Sequence, residues 1–242
     1  MAFPKISQYY SVNQDQMIEV DRFMIEELGI NLFQMMENAG STIARIVRTK
    51  YLVAGEERGV NIAAGPGGNG GGALVAGRRL AALGVPIHVC LGRAESEMSP
   101  VAGHQLNALR NSGNVSVSNT LSADAFVTID GLIGYSLKGE PNGQSAELIA
   151  EINEHPAPVV SVDVPSGFSV AEQTLAAVHV NATDTATLAA NKVGLDAAEV
   201  SGAVGNIYLC DIAVPSGILD EATGQTLGLN QFQSGDIVSI RS

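Results

Sequence analysis

The sequence predicts a three-layer α/β/α sandwich around a mostly parallel sheet, with two helices before it. From Val60 onward, short β-branched runs alternate with segments rich in Ala and Leu, which is typical of repeated strand–helix–strand units. Several of these runs are apolar almost throughout, as in Val159-Val160-Ser161-Val162, and such runs indicate strands covered on both faces. Before Val60, apolar residues recur at helical spacing in two segments.

The two N-terminal helices are predicted from start signals and apolar spacing. Ser11 and Gln14 have the spacing of a capping box, and a first helix then runs as far as Gly29. A second helix begins near Asn31 and contains Gly40. Glycine inside a helix costs about 1 kcal/mol relative to alanine. Gly40 therefore indicates either the close approach of another backbone or a plain surface defect.

The remaining elements follow from the alternating pattern. The predicted strands span residues 60–64, 86–91, 114–117, 125–130, 158–163, 180–188 and 205–211. The predicted helices between them span residues 73–83, 98–111 and 144–153. The polar segment after Leu219 predicts a terminal helix and tail. Because no repeat or linker interrupts the pattern, residues 1–242 are predicted to form one domain.

Composition excludes several classes of function. The net charge of −12 repels nucleic-acid backbones, so no nucleic-acid partner is expected. No run approaches the roughly 18 to 20 apolar residues of a membrane span, and the N-terminus lacks the apolar core of a signal peptide. We therefore expect a cytoplasmic protein without membrane association. Cys90 and Cys210 lie in apolar runs and are predicted to be reduced core residues.

A glycine-rich stretch, residues 65–72, follows the first predicted strand of the sheet, and six of its eight residues are glycine. In parallel α/β sheets, ligands bind where strand ends and helix N-termini converge. Glycine lets the backbone curl around an anion, so the stretch predicts a phosphate site. A flexible turn is the competing interpretation, because the stretch matches neither G-x-G-x-x-G nor a Walker loop. Its position after the first strand favours function.

Two further strand-to-helix loops begin with a carboxylate. Asp130 ends an apolar strand, and Asp163 ends another and is followed by Pro165 and Ser166. An acid at the end of a buried strand requires a cation, a hydrogen-bond cluster or a catalytic role to offset its desolvation. A helix cap or an Asx-turn would explain either aspartate alone. A cap or turn explains less well why both Asp130 and Asp163 end strands of the same sheet.

Polar oxygens from three of these loops are predicted to meet at one edge of the sheet. Asn69, Asp130 and Ser166 would supply amide, carboxylate and hydroxyl oxygens, which suit a hard cation. No zinc or iron site is predicted, because the histidines are scattered and stand in no motif. These histidines are His88, His104, His155 and His179.

Six elements in the same order carry a family resemblance. They are 35–40 (Met-Met-Glu-Asn-Ala-Gly), 65–72, 130–139, 161–167 (Ser-Val-Asp-Val-Pro-Ser-Gly), the set Thr185, Thr187, Lys192 and Gly194, and 211–215. Together they resemble the YjeF N-terminal family, whose characterised members are NAD(P)H-hydrate epimerases. The resemblance covers nearly the whole chain.

The resemblance implies a Rossmann-like fold and an isomerase that interconverts the R and S forms of hydrated NADH and NADPH. A separate NAD(P)H-hydrate dehydratase would then repair the S form, and homodimers are frequent in the family. The resemblance also implies a potassium ion held by Asn69, Asp130 and Ser166. The implied substrate-binding residues are Gly68, Asn69, Gly70, Gly71, Gly72, Gly134, Tyr135, Ser136, Leu137, Lys138, Gly139, Glu140 and Asp163.

The implied reaction has a direct chemical route. The hydrated carbon carries both a hydroxyl and the ring nitrogen, so acid-assisted loss of water gives an iminium-like species, and water can add back to the other face. We expect Asp163 to be the general acid and base, with electrostatic help from Asp130 and the cation.

The sequence departs from the family pattern at the expected ligand face. Gly68 replaces the first Asn of the glycine loop, Gly72 replaces its Asp and is followed by Ala73, and Asn142 replaces an Arg. Loss of the arginine weakens the attraction for phosphates, because a charge-assisted arginine–phosphate contact contributes about 1.5 to 3 kcal/mol.

Three functions therefore compete. Retention of Asn69, Asp130, Asp163 and Ser166 favours an active epimerase. The substitutions favour a catalytically lapsed nucleotide-binding or protein-interaction module. An ordinary dinucleotide-dependent oxidoreductase is disfavoured, because no complete dinucleotide fingerprint is present.

Overall fold

A computed structural model of the chain describes residues 3–241 and confirms the predicted α/β sandwich. In chain order the strands are β1 (Ser11–Val12), β2 (Gly59–Ala64), β3 (Ile87–Leu91), β4 (Val115–Ser118), β5 (Ala125–Gly131), β6 (Val159–Val162), β7 (Phe168–Ser169), β8 (Thr174–Leu175), β9 (Asp184–Leu188), β10 (Asn191–Lys192), β11 (Asn206–Cys210) and β12 (Ile237–Arg241). The helices are α1 (Gln14–Arg22), α2 (Leu32–Lys50), α3 (Gly68–Ala81), α4 (Pro100–Arg110), α5 (Gly143–Glu154), α6 (Ser201–Val204) and α7 (Ser216–Thr223). None of the helices within residues 3–241 has the length and apolar character needed to cross a membrane.

The main sheet has eight strands in the order β12-β11-β9-β6-β5-β2-β3-β4. All neighbours are parallel except β12, which runs antiparallel to β11. The first strand of this sheet along the chain is β2. Strands β3 and β4 follow on one side of it, and β5 then pairs with its other side. The strand order therefore reverses between β2 and β5, and such switch points open a crevice at the carboxyl ends of the strands.

Alternate residues of β2 show why three layers form. Ile62 and Ala64 pack into the cluster that holds the apolar faces of α2 and α3. Ala63, between them, packs on the opposite face with Leu148 and Ile149 of α5. Because both faces of the strand are covered, its residues are apolar almost throughout.

Helices α2 and α3 cross in close contact at Gly40. A Cβ atom added at Gly40 would lie 2.8 Å from the carbonyl oxygen of Gly72 and 2.5 Å from the Cβ of Val75. The structure thus decides between the two explanations of Gly40. Close approach of another backbone is correct, and the surface defect is wrong.

The start of α1 differs from the predicted one. Asn13 and Gln16 form the capping box, with Asn13 Oδ1 accepting from the Gln16 amide at 2.9 Å. Ser11 instead belongs to β1, which pairs in parallel with β10. After α1, residues Phe23–Glu27 form a π-helical segment, in which the Leu28 amide donates to the Phe23 carbonyl at 3.1 Å.

Two other boundaries were predicted incorrectly. Helix α3 begins at Gly68, five residues before the predicted start at position 73, because its glycines pack against neighbouring backbone and side chains. The predicted terminal helix exists as α7, but the tail ends in strand β12, where Ile237 and Val238 are buried. The N-terminal segment flanks this strand, since the Ser239 amide donates to the Pro4 carbonyl at 2.7 Å.

Candidate functional site

Two adjoining cavities lie at the switch point of the sheet. The wider one, which we call the cleft, has a volume of about 480 Å³ and is bounded by the glycine turn after β2 and the segment after β5. The narrower one, the inner pocket, has a volume of about 110 Å³ and is mostly apolar. Both cavities share five lining residues, so they form one continuous site. These are Asp21, Leu32, Gly68, Asn69 and Tyr135.

Asp163 lies directly after β6 and lines the inner pocket. Its backbone has φ +69°, a left-handed conformation that few residues other than glycine adopt. The Asp163 amide donates to the Ala186 carbonyl at 2.8 Å, and Oδ1 accepts from the Leu188 amide at 3.2 Å. Unusual backbone of this kind is concentrated at functional sites, where surrounding contacts hold it in place.

Lys192 forms an ion pair with Asp163. Its side chain is fully buried, and Nζ also donates to the carbonyls of Leu188 at 2.7 Å and Ala190 at 3.1 Å. A buried ion pair is retained only where further hydrogen bonds satisfy both partners. Lys192 thus fixes the orientation of the Asp163 carboxylate and supplies its counter-charge.

Asp130 is at the centre of a buried hydrogen-bond cluster. Oδ1 accepts from the hydroxyl of Ser166 at 2.6 Å and the amide of Leu132 at 3.2 Å. Oδ2 accepts from the hydroxyl of Ser161 at 2.7 Å and the amide of Ser166 at 2.9 Å. Burial raises the pKa of Asp130, while the hydrogen bonds from Ser166 and Ser161 oppose that rise.

Asn69 lies beside the carboxyl end of β6. Its Nδ2 donates to the Val162 carbonyl at 2.6 Å, beside Asp163. Its side-chain amide packs against Gly134, where an added Cβ would lie 2.6 Å from Oδ1 and 2.7 Å from Nδ2. The Ser166 hydroxyl also accepts from the Ile133 amide at 2.9 Å, which links the cluster to the cleft wall. Asn69 lines both cavities, whereas Asp130 and Ser166 are fully buried, hydrogen-bonded to each other and absent from both linings. By donor type alone, the three oxygens suit a hard cation.

Most of the predicted substrate-binding residues line the cavities. Those in the cleft are Gly68, Asn69, Gly70, Gly134, Tyr135, Ser136, Leu137, Lys138 and Glu140. Gly71 and Gly72 are instead buried in the contact with α2, since an added Cβ would lie 2.4 Å from Met36 Sδ at Gly71 and 3.6 Å from Ala39 Cβ at Gly72. Gly139 is exposed and lies outside both cavity linings.

Asp21 is a site residue that the sequence did not indicate. It is the last acid of α1, it lines both cavities, and its Oδ2 accepts from the Tyr135 hydroxyl at 2.6 Å. Burial raises the pKa of Asp21, and the charge of Asp163 adds to this effect, whereas Tyr135 and Lys192 oppose it. Burial and the neighbouring Asp21 also raise the pKa of Tyr135. The inner pocket therefore contains two carboxyl groups.

Arg93 is a second residue that sequence reasoning missed. It follows β3, lines the cleft, and donates through Nη2 to Oδ1 of Asn142 at 2.9 Å. Asn142 is the position at which the family resemblance expects an arginine. The cleft thus keeps a guanidinium beside that position, contributed by another strand end.

Comparisons with known proteins agree with this architecture. The yeast protein YNL200c, in its crystal structure, superposes with a TM-score of 0.80 over 95% of this chain and 99% of that chain. Its sequence identity is 21%, so this likeness shows the fold.

Sequence relatives are closer. The NAD(P)H-hydrate epimerase of Dehalogenimonas lykanthroporepellens is 39% identical over 223 residues, which are 90% of this chain and 86% of that protein. The bifunctional NAD(P)H-hydrate repair enzyme Nnr of Salinibacter ruber is 33% identical over 84% of this chain, and the match spans 40% of its own length. The family described as YjeF-related protein N-terminus matches residues 32–194. The chain belongs to the YjeF-related protein N-terminus family.

Proposed function

We propose that the chain is an NAD(P)H-hydrate epimerase, an isomerase that interconverts the two forms of hydrated NADH and NADPH in metabolite repair. The single observation that carries the proposal is Asp163, held by the buried Lys192 at the side of an apolar pocket that opens into a nucleotide-sized cleft. The curated name of the Dehalogenimonas relative, which matches over most of both chains, supports the same activity.

The hydrated nicotinamide ring would enter the inner pocket. There the bond between the hydrated carbon and its hydroxyl breaks as the hydroxyl takes a proton and leaves as water, while the ring nitrogen lone pair forms an iminium-like species. Water then adds to the opposite face and gives its proton to a carboxylate. We assign Asp163 the proton exchange, because it lines this pocket and its ion pair with Lys192 holds the carboxylate in place.

Asp21 is the second carboxyl group in the pocket, and we assign it a supporting role in proton transfer. Its raised pKa keeps a larger share of it protonated near neutral pH than of an exposed aspartate. The Tyr135 hydroxyl fixes its orientation. Two carboxyl groups in different environments allow one to donate a proton while the other accepts one.

The nucleotide would extend along the cleft. Lys138 and Arg93 both line it and offer positive charge to phosphate oxygens. The first turn of α3 supplies backbone amides at Gly68, where a Cβ would meet nothing within 4 Å. Gly68 therefore lies open to a ligand, in contrast to the packed glycines that follow it.

A potassium ion is part of the proposal. Asn69, Asp130 and Ser166 would hold it, and it would supply positive charge beside the reacting ring. The support is the set of oxygen donors described above, an amide, a carboxylate and a hydroxyl at neighbouring strand ends. The repair activity named in the bifunctional relatives further suggests that the chain acts in sequence with an NAD(P)H-hydrate dehydratase.

The test measures how fast an S-specific dehydratase recovers reduced nicotinamide absorbance from the R hydrate with this protein present. We expect acceleration by the wild type and a loss of about 10²-fold or more in Asp163→Asn. Asp184→Asn is the matched control, because Asp184 is also a fully buried aspartate paired with a lysine, Lys50, but lies at the amino end of β9.

Three results would count against the proposal. Unchanged activity in Asp163→Asn would remove Asp163 from the chemistry. Equal losses in both variants would indicate a stability effect. No acceleration by the folded wild type would favour the lapsed binding module.

A further inference from the structure

A second cavity, of about 500 Å³, lies between the C-terminal halves of α2 and α3 and is lined by arginines. We call it the arginine groove and define it by Arg45, Arg48, Arg78 and Arg79. The hydroxyl-bearing Ser41 also lines it. Arg78 lies ten residues along α3 from Gly68, which places the groove roughly 15 Å from the cleft by helix rise.

The charge of this groove is opposite to that of the chain. The protein carries 13 Lys and Arg residues against 25 acids, yet four of those 13 face one cavity. Glu37 pairs with both Arg78 and Arg79, and Asp236 pairs with Arg45. Four guanidinium groups against two carboxylates leave a local charge of 4 − 2 = +2. Within residues 3–241, Arg48 has no ion-pair partner and is exposed.

Helix-dipole compensation is the simpler explanation of these arginines. Arg48, Arg78 and Arg79 lie in the last turns of their helices, where cations are favourable. That explanation does not account for Arg45, which lies before the last turn, or for the convergence of all four on one cavity. Arg110, in the last turn of α4, behaves as the dipole effect alone predicts, since it pairs with Glu95 outside the groove.

We propose that the arginine groove binds a pyrophosphate-type anion, either inorganic or carried by a nucleotide. One guanidinium group can donate two parallel hydrogen bonds to the oxygens of a phosphate group, and four guanidinium groups can contact two phosphate groups at once. A short anion fits better than a long polyanion, because the net charge of −12 would repel any chain of phosphates that extended beyond the groove. The site is separate from the proposed epimerase cleft and does not depend on that function.

Glu37 is the internal competitor for the anion. Its carboxylate bridges Arg78 and Arg79, with the Arg79 Nη2 contact at 3.0 Å. An incoming anion would have to share or displace these contacts. Removing the charge of Glu37 should therefore strengthen binding, whereas a groove that merely balances helix dipoles would gain no affinity for anions.

The test is calorimetric titration of the whole protein with inorganic pyrophosphate at low ionic strength. We expect one binding event that weakens with added salt. Arg48→Gln with Arg79→Gln should weaken it about 100-fold, since about tenfold per contact corresponds to about 1.4 kcal/mol. Arg110→Gln should bind as the wild type does, and Glu37→Gln should bind more tightly. Circular dichroism and epimerase activity should be unchanged in the groove variants.

Other outcomes would overturn the assignment. These are absence of binding, equal weakening by Arg110→Gln, or loss of binding in Lys138→Gln alone, which would move the anion to the cleft. A parallel titration with ADP identifies the source. Tighter binding than pyrophosphate points to a nucleotide, and equal or weaker binding points to the inorganic anion.

Discussion

Replacing Lys192 with methionine should destabilise the fold more than any other single loss of charge at the site. Lys192 is fully buried, and Asp163 beside it is 3% exposed. Without the lysine, the Leu188 amide at 3.2 Å is the one hydrogen-bond donor left to the carboxylate among the residues that the structure describes, and the carbonyls of Leu188 and Ala190 lose a donor. Methionine fills a similar volume, so the change is chiefly electrostatic.

The expected loss is about 3 to 5 kcal/mol, the range found when one partner of a buried pair is removed. With a urea slope of about 2 to 3 kcal/mol/M, the unfolding midpoint falls by about 1 to 2.5 M. Lys50→Met is the comparison. Lys50 is 24% exposed, and its partner Asp184 keeps a hydrogen bond from Asn206 at 2.8 Å, so its loss should be smaller.

Urea unfolding followed by circular dichroism measures both variants, together with the double variant Asp163→Asn, Lys192→Met. The double variant should recover part of the loss, because no unpaired carboxylate remains in it. A Lys192→Met loss below about 1 kcal/mol, or one no greater than that of Lys50→Met, would refute the reasoning. So would a double variant as unstable as the sum of the two single changes.

Three further predictions concern the same region. Gly70→Ala should lower the free energy of unfolding by more than about 2 kcal/mol, because the added Cβ would lie 1.9 Å from the Gly65 carbonyl oxygen. Gly68→Ala should leave it unchanged or raise it by up to about 1 kcal/mol, and similar values for both variants in chemical denaturation would contradict the packing argument. Burial raises the pKa of Asp21 in the folded state above its usual value, so the native state holds that proton to higher pH than the unfolded chain, and stability falls as the pH rises above about 4. Asp21→Asn should lack this contribution and gain stability relative to the wild type as the pH is raised above about 4; parallel curves of stability against pH would contradict it. Potassium should raise the Tm of the wild type above its value in tetramethylammonium at equal ionic strength, and Asn69→Ala should lose most of that difference; an equal effect in both proteins would place the ion elsewhere.

Periodicity predicted the sheet because covered strands must be apolar on both faces. The runs around Ile62, Ile129 and Val160 were recognised for this reason, and each lies in a main-sheet strand. Strand β12 was not predicted, because it follows a polar segment and joins the main sheet through its pairing with β11. Its place depends on a partner that is distant in sequence, which local pattern does not encode.

The site could be predicted in part. Asp130 and Ser166 were expected to meet, and they do so through a hydroxyl–carboxylate hydrogen bond of 2.6 Å. Asp163 and Asn69 line the same inner pocket, as the convergence of strand ends requires. These residues follow strands, so the topology alone brings them together.

Of the two missed residues, Arg93 follows β3 and obeys the same rule, whereas topology gives no such rule for Asp21. Asp21 lies on a helix whose position over the site depends on how α1 docks, and a charged residue there has the pattern of a solvent face. The glycines of α3 also have a packing role that the sequence did not indicate. Their clustering predicted a ligand loop, and Gly68 and Gly70 line the cleft, but Gly70 and Gly71 are also required to be small because the backbone of Gly65 and the side chain of Met36 occupy the space beside them.

The π-helical segment Phe23–Glu27 has a consequence for how the N-terminal helices tolerate length changes. Its i→i+5 hydrogen bonding accommodates one residue more than an α-helical turn would. The extra residue sets the direction in which Asp21 points around the helix axis, relative to the start of α2. Deleting one residue there would let a regular helix continue, but would rotate Asp21 by about 100° about the axis, away from the Tyr135 hydroxyl. A shortened chain of this kind should keep its sheet while one of its two pocket acids turns out of reach.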